Sequence, residues 1–304
     1  MSTKAGVKRF PPTGSRAPAF ALLRRRLASA EVLLDWLPRR ALLQGRPRII
    51  ANGLPKAGTN LLIKALTTVA RMHRSRRAIH GQTPTRERAG QVVPIGVDTP
   101  RAVPLSEVRN RLRWVAPGSV VSAHLPDSGV ARELLDELGY RMALIVRDPR
   151  DVAVSFADFV SNLPAHWLHE RFAAAPADQR LLWAIDGIPG ELDDIATRTR
   201  RVTGWRTWPA AHVVRFEDLI GPSGGGDAQV QAESLMALVA HSDATVSLEA
   251  ATAAGPRLFG GTRTFRRGQL GGWREHFEPV HIARMKELAG DLLVELGYET
   301  DGAW

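Results

Sequence analysis

The chain has 304 residues, 44% hydrophobic and 24% charged, which is an ordinary globular composition with enough apolar residues for a full core. It contains no cysteine, which excludes a disulfide framework and thiolate metal sites. The net charge of +10 would suggest a polyanion partner, but residues 1–48 carry eleven lysines and arginines against two acids. The remainder is close to neutral, which argues against a nucleic-acid-binding surface spread over the fold.

Residues 1–46 form a basic N-terminal arm that is predicted to contain an amphipathic helix. Its apolar positions recur at helical spacing opposite Arg24, Arg25 and Arg26. Three interpretations remain open: a helix that covers the domain, a peripheral contact with a membrane surface, and an organellar transit peptide. Since no apolar run matches a secretory signal or the roughly 18 residues of a membrane span, we expect a cytoplasmic protein.

From residue 47 onward, the apolar pattern predicts strands that alternate with helices. The strands are predicted at Arg48–Gly53, Ser119–Ala123, Arg141–Val146 and His212–Phe216, and the helices at Thr59–Arg71, Ser128–Leu138, Pro149–Val160 and Val280–Leu296. Residues 81–104 and Gly221–Gly226 are predicted to be irregular because they are rich in proline or glycine. This alternation indicates a single α/β domain, residues 47–304, with a central parallel β-sheet flanked by helices. Ligands of such sheets bind beyond the carboxyl ends of the strands.

The segment Gly53–Asn60 joins the first strand to the first helix and has the physical properties of a phosphate-binding loop. Its glycines allow close approach, and the helix N-terminus presents backbone N–H groups to an anion. In nucleoside triphosphatases a lysine directly follows the second glycine of the loop. Here Thr59 takes that place and Lys56 lies inside the loop, which argues against that class. A solvated loop lysine is the alternative interpretation of Lys56.

This loop instead resembles the P-K-[ST]-G-T-T-W loop of the sulfotransferases that use 3′-phosphoadenosine 5′-phosphosulfate (PAPS), which have a P-loop nucleotide-binding fold. It matches at Pro55, Lys56, Gly58 and Thr59, and it departs from the family pattern at Ala57, Asn60 and Leu61. The tryptophan that Leu61 replaces stacks on the adenine in the family. The resemblance implies that the nucleotide is held by Lys56, Ala57, Gly58, Thr59 and Asn60.

Two further segments are similar to the family's motifs for the 3′-phosphate. The run Arg147–Ser155 resembles R-[ND]-P-[KR]-D-x-x-x-S, which implies that Arg147 and Ser155 bind this phosphate. A guanidinium fork and a hydroxyl in the first turns of a helix suit a phosphate dianion. The alternative for Arg147 alone is an ion pair with Asp148 or Asp151.

The second of these segments, Phe265–Trp273, looks like R-K-G-x-x-G-D-W, with Gly272 in place of the aspartate. The resemblance gives Arg266, Arg267 and Gly268 the role of closing over the 3′-phosphate. Phe216 begins a run that resembles Y-E-D-L, whose aromatic residue lies near the adenine in the family.

The candidate catalytic residues are His124, Lys56 and Ser155. His124 lies in a run, Ser122–Pro126, that resembles K-T-H-L-P, whose histidine is the family's general base. The resemblance further implies that Lys56 stabilises the bridging oxygen of the leaving group and that Ser155 restrains Lys56. Since PAPS carries its own leaving group and the candidate site has no aspartate or glutamate cluster of metal-binding type, we expect no metal to be required. A structural histidine or a helix cap is the alternative for His124.

The expected reaction is transfer of a sulfuryl group from PAPS to a hydroxyl or amine of a small-molecule acceptor, which leaves adenosine 3′,5′-diphosphate (PAP). One alternative is a P-loop nucleotide or small-molecule kinase in which Asp148 binds magnesium. Another is a non-catalytic protein that binds polyanions through the arm. The segments 81–104 and Asp158–Pro189 are expected to face the acceptor, and their apolar side chains favour an apolar or amphipathic molecule. Their alternative role is that of ordinary core and lid helices.

Overall fold

Five parallel strands form the central sheet of the part of the chain described by a computed structural model, which is residues 44–80, 90–262 and 267–304. In chain order the strands are β1 (Arg48–Gly53), β2 (His73–Ile79), β5 (Ser119–Ala123), β6 (Tyr140–Val146) and β7 (Ala211–Arg215). Their spatial order is β2-β5-β1-β6-β7, with every pairing parallel. This sheet confirms the predicted fold class and brings the carboxyl ends of all five strands to one edge.

Helices connect these strands and cover the sheet. They are α1 (Thr59–Thr68), α2 (Leu105–Leu112), α3 (Gly129–Glu137), α4 (Pro149–Ser161), α5 (His169–Ala174), α6 (Ala177–Asp186), α7 (Ile195–Thr203), α8 (Phe216–Ile220), α9 (Ala228–His241), α10 (Leu248–Ala254) and α11 (Pro279–Glu295). Short 3₁₀ turns cover Gly204–Thr207, Pro222–Gly224, Gly255–Leu258 and Gly272–Glu275. The predicted helices correspond to α1, α3, α4 and α11.

The sequence dictates how the helices nearest the strand ends begin. The side chain of Asp148 caps α4 by accepting from the backbone N–H of Arg150, and Pro149 occupies the first turn, where its missing N–H costs nothing. Ser128 caps α3 in the same way. The central strand β1 is buried at every position after Arg48 because its neighbours pair on both sides and helices cover both faces. These features fix where the loops after β1, β5 and β6 emerge.

Three segments differ from the sequence-based predictions. Residues 90–104, predicted as irregular, contain an antiparallel hairpin of β3 (Val92–Ile95) and β4 (Arg101–Pro104). Strand β7 ends one residue early, and Phe216 is the first residue of α8, since the backbone turns helical directly after Arg215. The run Gly221–Gly226 contains a 3₁₀ turn at Pro222–Gly224, closed by the hydrogen bond from Gly225 N to the carbonyl of Pro222 at 3.0 Å.

The contacts within the chain define two units, Met1–Gln44 and Gly45–Trp304, and all elements above belong to the second. The predicted amphipathic helix of the basic arm lies outside the described residues, as do residues 81–89. Within the described ranges, no helix has the length and apolar character that crossing a bilayer requires.

Candidate active site

The phosphate loop connects β1 to α1 and has a backbone that only glycine tolerates at its turn. Gly58 has a φ of 111°, and a Cβ atom there would lie 2.6 Å from Cδ2 of Phe216. At Gly53 a Cβ atom would lie 2.7 Å from Cγ2 of Ile145 on the neighbouring strand. Lys56 also has a positive φ, 75°, and the N–H of Ala57 donates to the carbonyl of Leu54 at 3.0 Å. The loop is therefore held in one tight conformation against β6 and α8.

The residues at the start of α1 fit a phosphate group. The first turn of α1 contains no acidic residue, so no carboxylate of its own repels an anion from the positive dipole end of the helix. The Thr59 hydroxyl is buried there and makes no hydrogen bond within the described part of the chain. A buried hydroxyl without a partner is costly unless a ligand oxygen meets it. This orphaned hydroxyl is the observation that matches the predicted nucleotide site.

Arg147 follows β6 and bridges the phosphate loop and the segment 267–271. Its Nη1 donates to the carbonyl of Lys56 at 3.3 Å and its Nη2 to the carbonyl of Gln269 at 3.4 Å. The guanidinium lies 4.2 Å from the ring centroid of Phe216, an arrangement that orients a cation on an aromatic face. Its Nε is buried and makes no hydrogen bond to any described residue. Of the two acids that the sequence offers Arg147 as ion-pair partners, Asp151 lies 3.6 Å from Nη2.

Asp151 holds residues 267–273 against α4. Its two carboxylate oxygens accept from the backbone N–H groups of Gly271 and Trp273, each at 3.0 Å. The N–H of Leu270 donates to the carbonyl of Gly224 at 3.1 Å. Burial raises the pKa of Asp151, while Arg147 and the two N–H groups oppose that shift. The segment 267–273 is thereby fixed close to Arg147.

His124 lies directly after β5, beside the start of the phosphate loop. Its Nδ1 is 2.7 Å from the carbonyl oxygen of Gly53, and its ring centroid is 4.8 Å from that of His80. Burial lowers the pKa of His124, whereas the bond to Gly53 and the charge of Asp98 raise it by less. Burial also lowers the pKa of His80 to about 4, and His124 and Arg74 add to that effect. Both imidazoles are therefore neutral near pH 7.

Lys56 contacts the face of α4 on which Ser155 also lies. The Lys56 ammonium lies 4.1 Å from the ring centroid of Phe159. Ser155 precedes Phe159 by four residues, so the two side chains lie on one face of the helix. The lysine therefore projects from the loop toward the helix turn that carries the serine.

Several residues of the site were not identified from the sequence. Asn52 is fully buried in β1 and forms a two-way hydrogen bond with Leu125, donating to its carbonyl at 2.9 Å and accepting from its N–H at 2.8 Å. Trp205 Nε1 donates to the same carbonyl at 2.9 Å. Together they fix the residue that follows His124. A polar residue directly after the apolar run of β1 was the available signal for Asn52.

One predicted acceptor-facing segment, 81–104, contacts His124, and the other, Asp158–Pro189, is influenced by the same aspartate as His124. The N–H of Gly96 donates to the carbonyl of His124 at 3.0 Å, and the charge of Asp98 acts on both His124 and His166. His166 packs against Phe159 and stacks on Trp167, whose side chain is half exposed. The face of α4 that carries Phe159 thus connects Lys56 to an aromatic surface.

The predicted site residues differ in where they lie in the structure. The loop residues, His124, Arg147 and Ser155 follow three adjacent strands, β1, β5 and β6, at one edge of the sheet. Phe216 is buried beneath Gly58 and Arg147, where it supports both. Gly268 has a φ of 63° and lies in the segment next to Arg147, whereas the exposed Arg267 pairs with Glu275 at 3.2 Å. Arg266 lies outside the described residues.

The described ranges contain no group of three or more histidine, aspartate or glutamate side chains arranged to hold a metal ion. Asp148, the residue that the kinase interpretation assigns to magnesium, binds Arg150 through both carboxylate oxygens at 2.8–3.1 Å. Glu217 accepts from the N–H of Asp148 and from the hydroxyl of Tyr298, and burial raises the pKa of this carboxyl. Both acids therefore serve the structure of the strand ends.

Comparison with known proteins identifies the family. A family model described as the sulfotransferase domain matches residues 46–220, more than half of the chain. The fold is similar to that of the mouse sulfotransferase SULT7A1 in complex with PAP, with a TM-score of 0.51 and 13% identity over 81% of this chain and 84% of that one. It is also similar to a retinol dehydratase in complex with androsterone and the inactive cofactor PAP, with a TM-score of 0.51 and 14% identity over 86% and 85% of the two chains. A search of curated protein sequences gives no significant match. At these identities the structural similarity establishes the fold, and the domain match establishes that this chain belongs to the sulfotransferase domain family.

Proposed function

We propose that this sulfotransferase takes its sulfuryl group from PAPS and transfers it to a hydroxyl or amine, with His124 as the general base. The observation that carries the proposal is the position of Arg147, which bridges the phosphate loop and the segment 267–271 at the edge of the sheet. A nucleotide with two separate phosphate sites needs cationic or N–H groups at both. The Thr59 hydroxyl supports the first site and Arg147 Nε supports the second, because both are buried and neither bonds to a described residue.

In this proposal the N–H groups of Gly58, Thr59 and Asn60 hold the 5′-phosphate at the N-terminus of α1. Arg147, Ser155 and Gly268 surround the 3′-phosphate, and Arg266 and Arg267 are further candidates from the sequence motif. Bound PAPS supplies an activated sulfuryl group whose bond to the 5′-phosphate oxygen breaks as the acceptor oxygen or nitrogen attacks sulfur. Lys56 neutralises the charge that develops on that phosphate oxygen, and Ser155 restrains the lysine beforehand.

His124 takes the acceptor proton on Nε2, since its Nδ1 is committed to the carbonyl of Gly53. Burial favours the neutral ring, which is the form that accepts a proton. The base is held by both neighbouring residues in the chain, because Ala123 pairs in the sheet and Leu125 is bound by Asn52. Such positioning is what an in-line transfer requires of its base.

The acceptor is proposed to be an apolar or amphipathic small molecule. The retinol dehydratase of similar fold binds androsterone, which is such a molecule. In this chain the aromatic surface formed by Phe159, His166 and Trp167 leads from Lys56 to solvent. Aromatic side chains with few polar groups are typical of pockets for molecules of this class.

The decisive test combines binding with turnover. Calorimetric titration should give much tighter binding of PAP than of AMP, because AMP lacks the 3′-phosphate that Arg147 is proposed to meet. An acceptor panel incubated with PAPS should then give a product heavier by one sulfuryl group, detected by mass spectrometry. Equal affinity for PAP and AMP, or phosphorylation of an acceptor with ATP and magnesium, would contradict the proposal and favour the kinase.

A further inference from the structure

Two arginines at the start of α4, Arg147 and Arg150, point in different directions. Arg147 turns toward the phosphate loop, and Arg150 turns away from it into the protein. The Arg150 side chain is 2% exposed and is paired with Asp148 at 2.8 Å and with Glu299. A buried arginine with two carboxylate partners is rigidly held and does not need a ligand of its own.

The guanidinium of Arg150 also contacts two tryptophans that pack against each other. Its Cζ lies 4.2 Å from the ring centroid of Trp273 and 4.5 Å from that of Trp304. The two indole rings meet edge to face, with centroids 5.7 Å apart and planes at 82°. Cation–π contacts are strongest when they are removed from water, as they are here. We call Trp273, Arg150 and Trp304 the tryptophan clamp.

The clamp ends in the segment that lies next to Arg147. Trp273 closes the motif that begins at Arg266, and its backbone N–H, like that of Gly271, is bonded to Asp151. Earlier in the same segment, the carbonyl of Gln269 accepts from Arg147. Residues 267–273 are therefore held at two places. Arg147 binds Gln269, and Asp151 and the clamp hold Gly271 and Trp273.

We propose that Arg150 and Trp304 are positioning residues for the nucleotide, which set how closely residues 267–273 cover its 3′-phosphate. Neither residue touches the nucleotide in this arrangement, and both act through Trp273. Without Trp304, Arg150 loses one aromatic contact and Trp273 loses its edge-to-face neighbour, so Trp273 gains freedom to move the backbone of Gly268 and Gln269 away from Arg147. The inference rests on the proposed function, because it assigns this segment to the 3′-phosphate.

The test is the substitution Trp304→Ala in the full chain, with Trp304→Phe as the conservative variant that keeps an aromatic face. Trp304→Ala should weaken PAP binding about threefold to tenfold by calorimetry, leave AMP binding within twofold, and raise KM for PAPS with little change in kcat. Hydrogen exchange in the ligand-free protein should become faster in residues 267–273. Trp304→Phe should restore most of the PAP affinity.

Trp114→Ala provides the matched control. This tryptophan also pairs with an arginine, Arg113, at 5.0 Å, but it is 64% exposed and lies after α2, remote in sequence from the segment. It should leave PAP affinity and exchange in residues 267–273 unchanged. The proposal is overturned if Trp304→Ala leaves PAP affinity and exchange in residues 267–273 unchanged. It is also overturned if the variant weakens the binding of PAP and of AMP equally, which would mark a general loss of stability. Failure of the wild-type protein to bind PAP would instead contradict the proposed function itself.

Discussion

The Nδ1 atom of His124 lies 2.7 Å from the carbonyl oxygen of Gly53, the last residue of β1. A carbonyl oxygen accepts hydrogen bonds and cannot donate them, so Nδ1 carries the proton of the neutral ring. The lone pair is consequently on Nε2, which is the atom available to a substrate. The same bond ties the proposed base to the residue from which the phosphate loop departs, so base and donor site are positioned by a common backbone.

Replacing His124 by alanine should lower kcat by roughly 10²–10⁴ and leave PAP affinity nearly unchanged, because the base contacts the acceptor side of the reaction. Steady-state kinetics with an identified acceptor, together with calorimetry, checks both halves of this prediction. His212→Asn is the control, since His212 lies at the start of β7, at the opposite end of the sheet. Near-normal turnover of His124→Ala would remove the residue from the mechanism.

The pH dependence follows from the lowered pKa of His124. The ring accepts a proton only in its neutral form, which predominates above its pKa, and burial moves that pKa below the usual value of about 6.5. Activity should therefore fall as the pH drops, but with a midpoint below 6.5 on the acid limb of kcat/KM. A profile of kcat/KM from pH 5 to 8 measures this midpoint. A value above 6.5 would mean that a neighbouring carboxylate such as Asp98 outweighs burial.

Asn52 should matter to both stability and turnover. Asn52→Ala removes two hydrogen bonds and leaves the buried N–H of Leu125 without its acceptor, while Trp205 still serves the carbonyl. We expect a loss of about 1–3 kcal/mol in the free energy of unfolding, measured with urea, and a lower kcat because His124 precedes the loosened residue. The exposed Asn110→Ala on α2 should change neither quantity. An unchanged kcat in Asn52→Ala would show that His124 is held without it.

The sheet was largely predictable, because β1, β5 and β6 each contain an apolar run and the helices of an α/β fold lie between them. Strand β2 was not predicted, since His73–Ile79 contains three arginines and its pairing with β5 is irregular between Arg74 and Ala78. It is an edge strand, where charged residues are tolerated and even favoured. Proline at positions 94 and 104 likewise concealed the hairpin, because proline removes a donor from a strand.

The residues of the candidate site that belong to local motifs were predictable from the sequence. The contacts between residues far apart in the chain were not. Gly58 and Arg147 could be read from the loop and from the strand end. The positions of Phe216 beneath them and of Trp304 against Arg150 depend on residues 69 to 158 positions apart, which periodicity does not report. The partner of Arg147 also required the structure, since the sequence offered Asp148 and Asp151 equally and Asp148 is engaged by Arg150.

Lys56 is assigned to charge that develops during transfer, so Lys56→Ala should reduce kcat by more than it weakens nucleotide affinity. Comparing kcat with the affinity for PAP separates the two effects. Lys64→Ala is the matched control, because this lysine belongs to α1 but donates to the carbonyls of Leu258 and Gly260. Turnover of the wild-type protein should also persist in excess EDTA, since the lysine and the loop N–H groups supply the positive charge. Equal losses in kcat and in PAP affinity would reduce Lys56 to a binding residue.

Arg147→Ala should weaken the binding of PAP by about one to two powers of ten, because a charge-assisted contact to phosphate contributes ~1.5–3 kcal/mol. AMP should bind the variant about as well as it binds the wild-type protein, since it has no 3′-phosphate. Calorimetric titration of both proteins with both ligands gives the four affinities that decide this.

Arg147→Lys keeps the charge but loses the planar fork that stacks on Phe216, so it should recover only part of the PAP affinity. The buried carboxylate of Asp151 also loses a cationic neighbour in Arg147→Ala, and the unfolding temperature of each variant separates that effect from ligand binding. A wild-type protein that binds PAP and AMP equally, or a variant that loses both alike, would show that Arg147 is a structural residue and would remove the reason for naming PAPS as the donor.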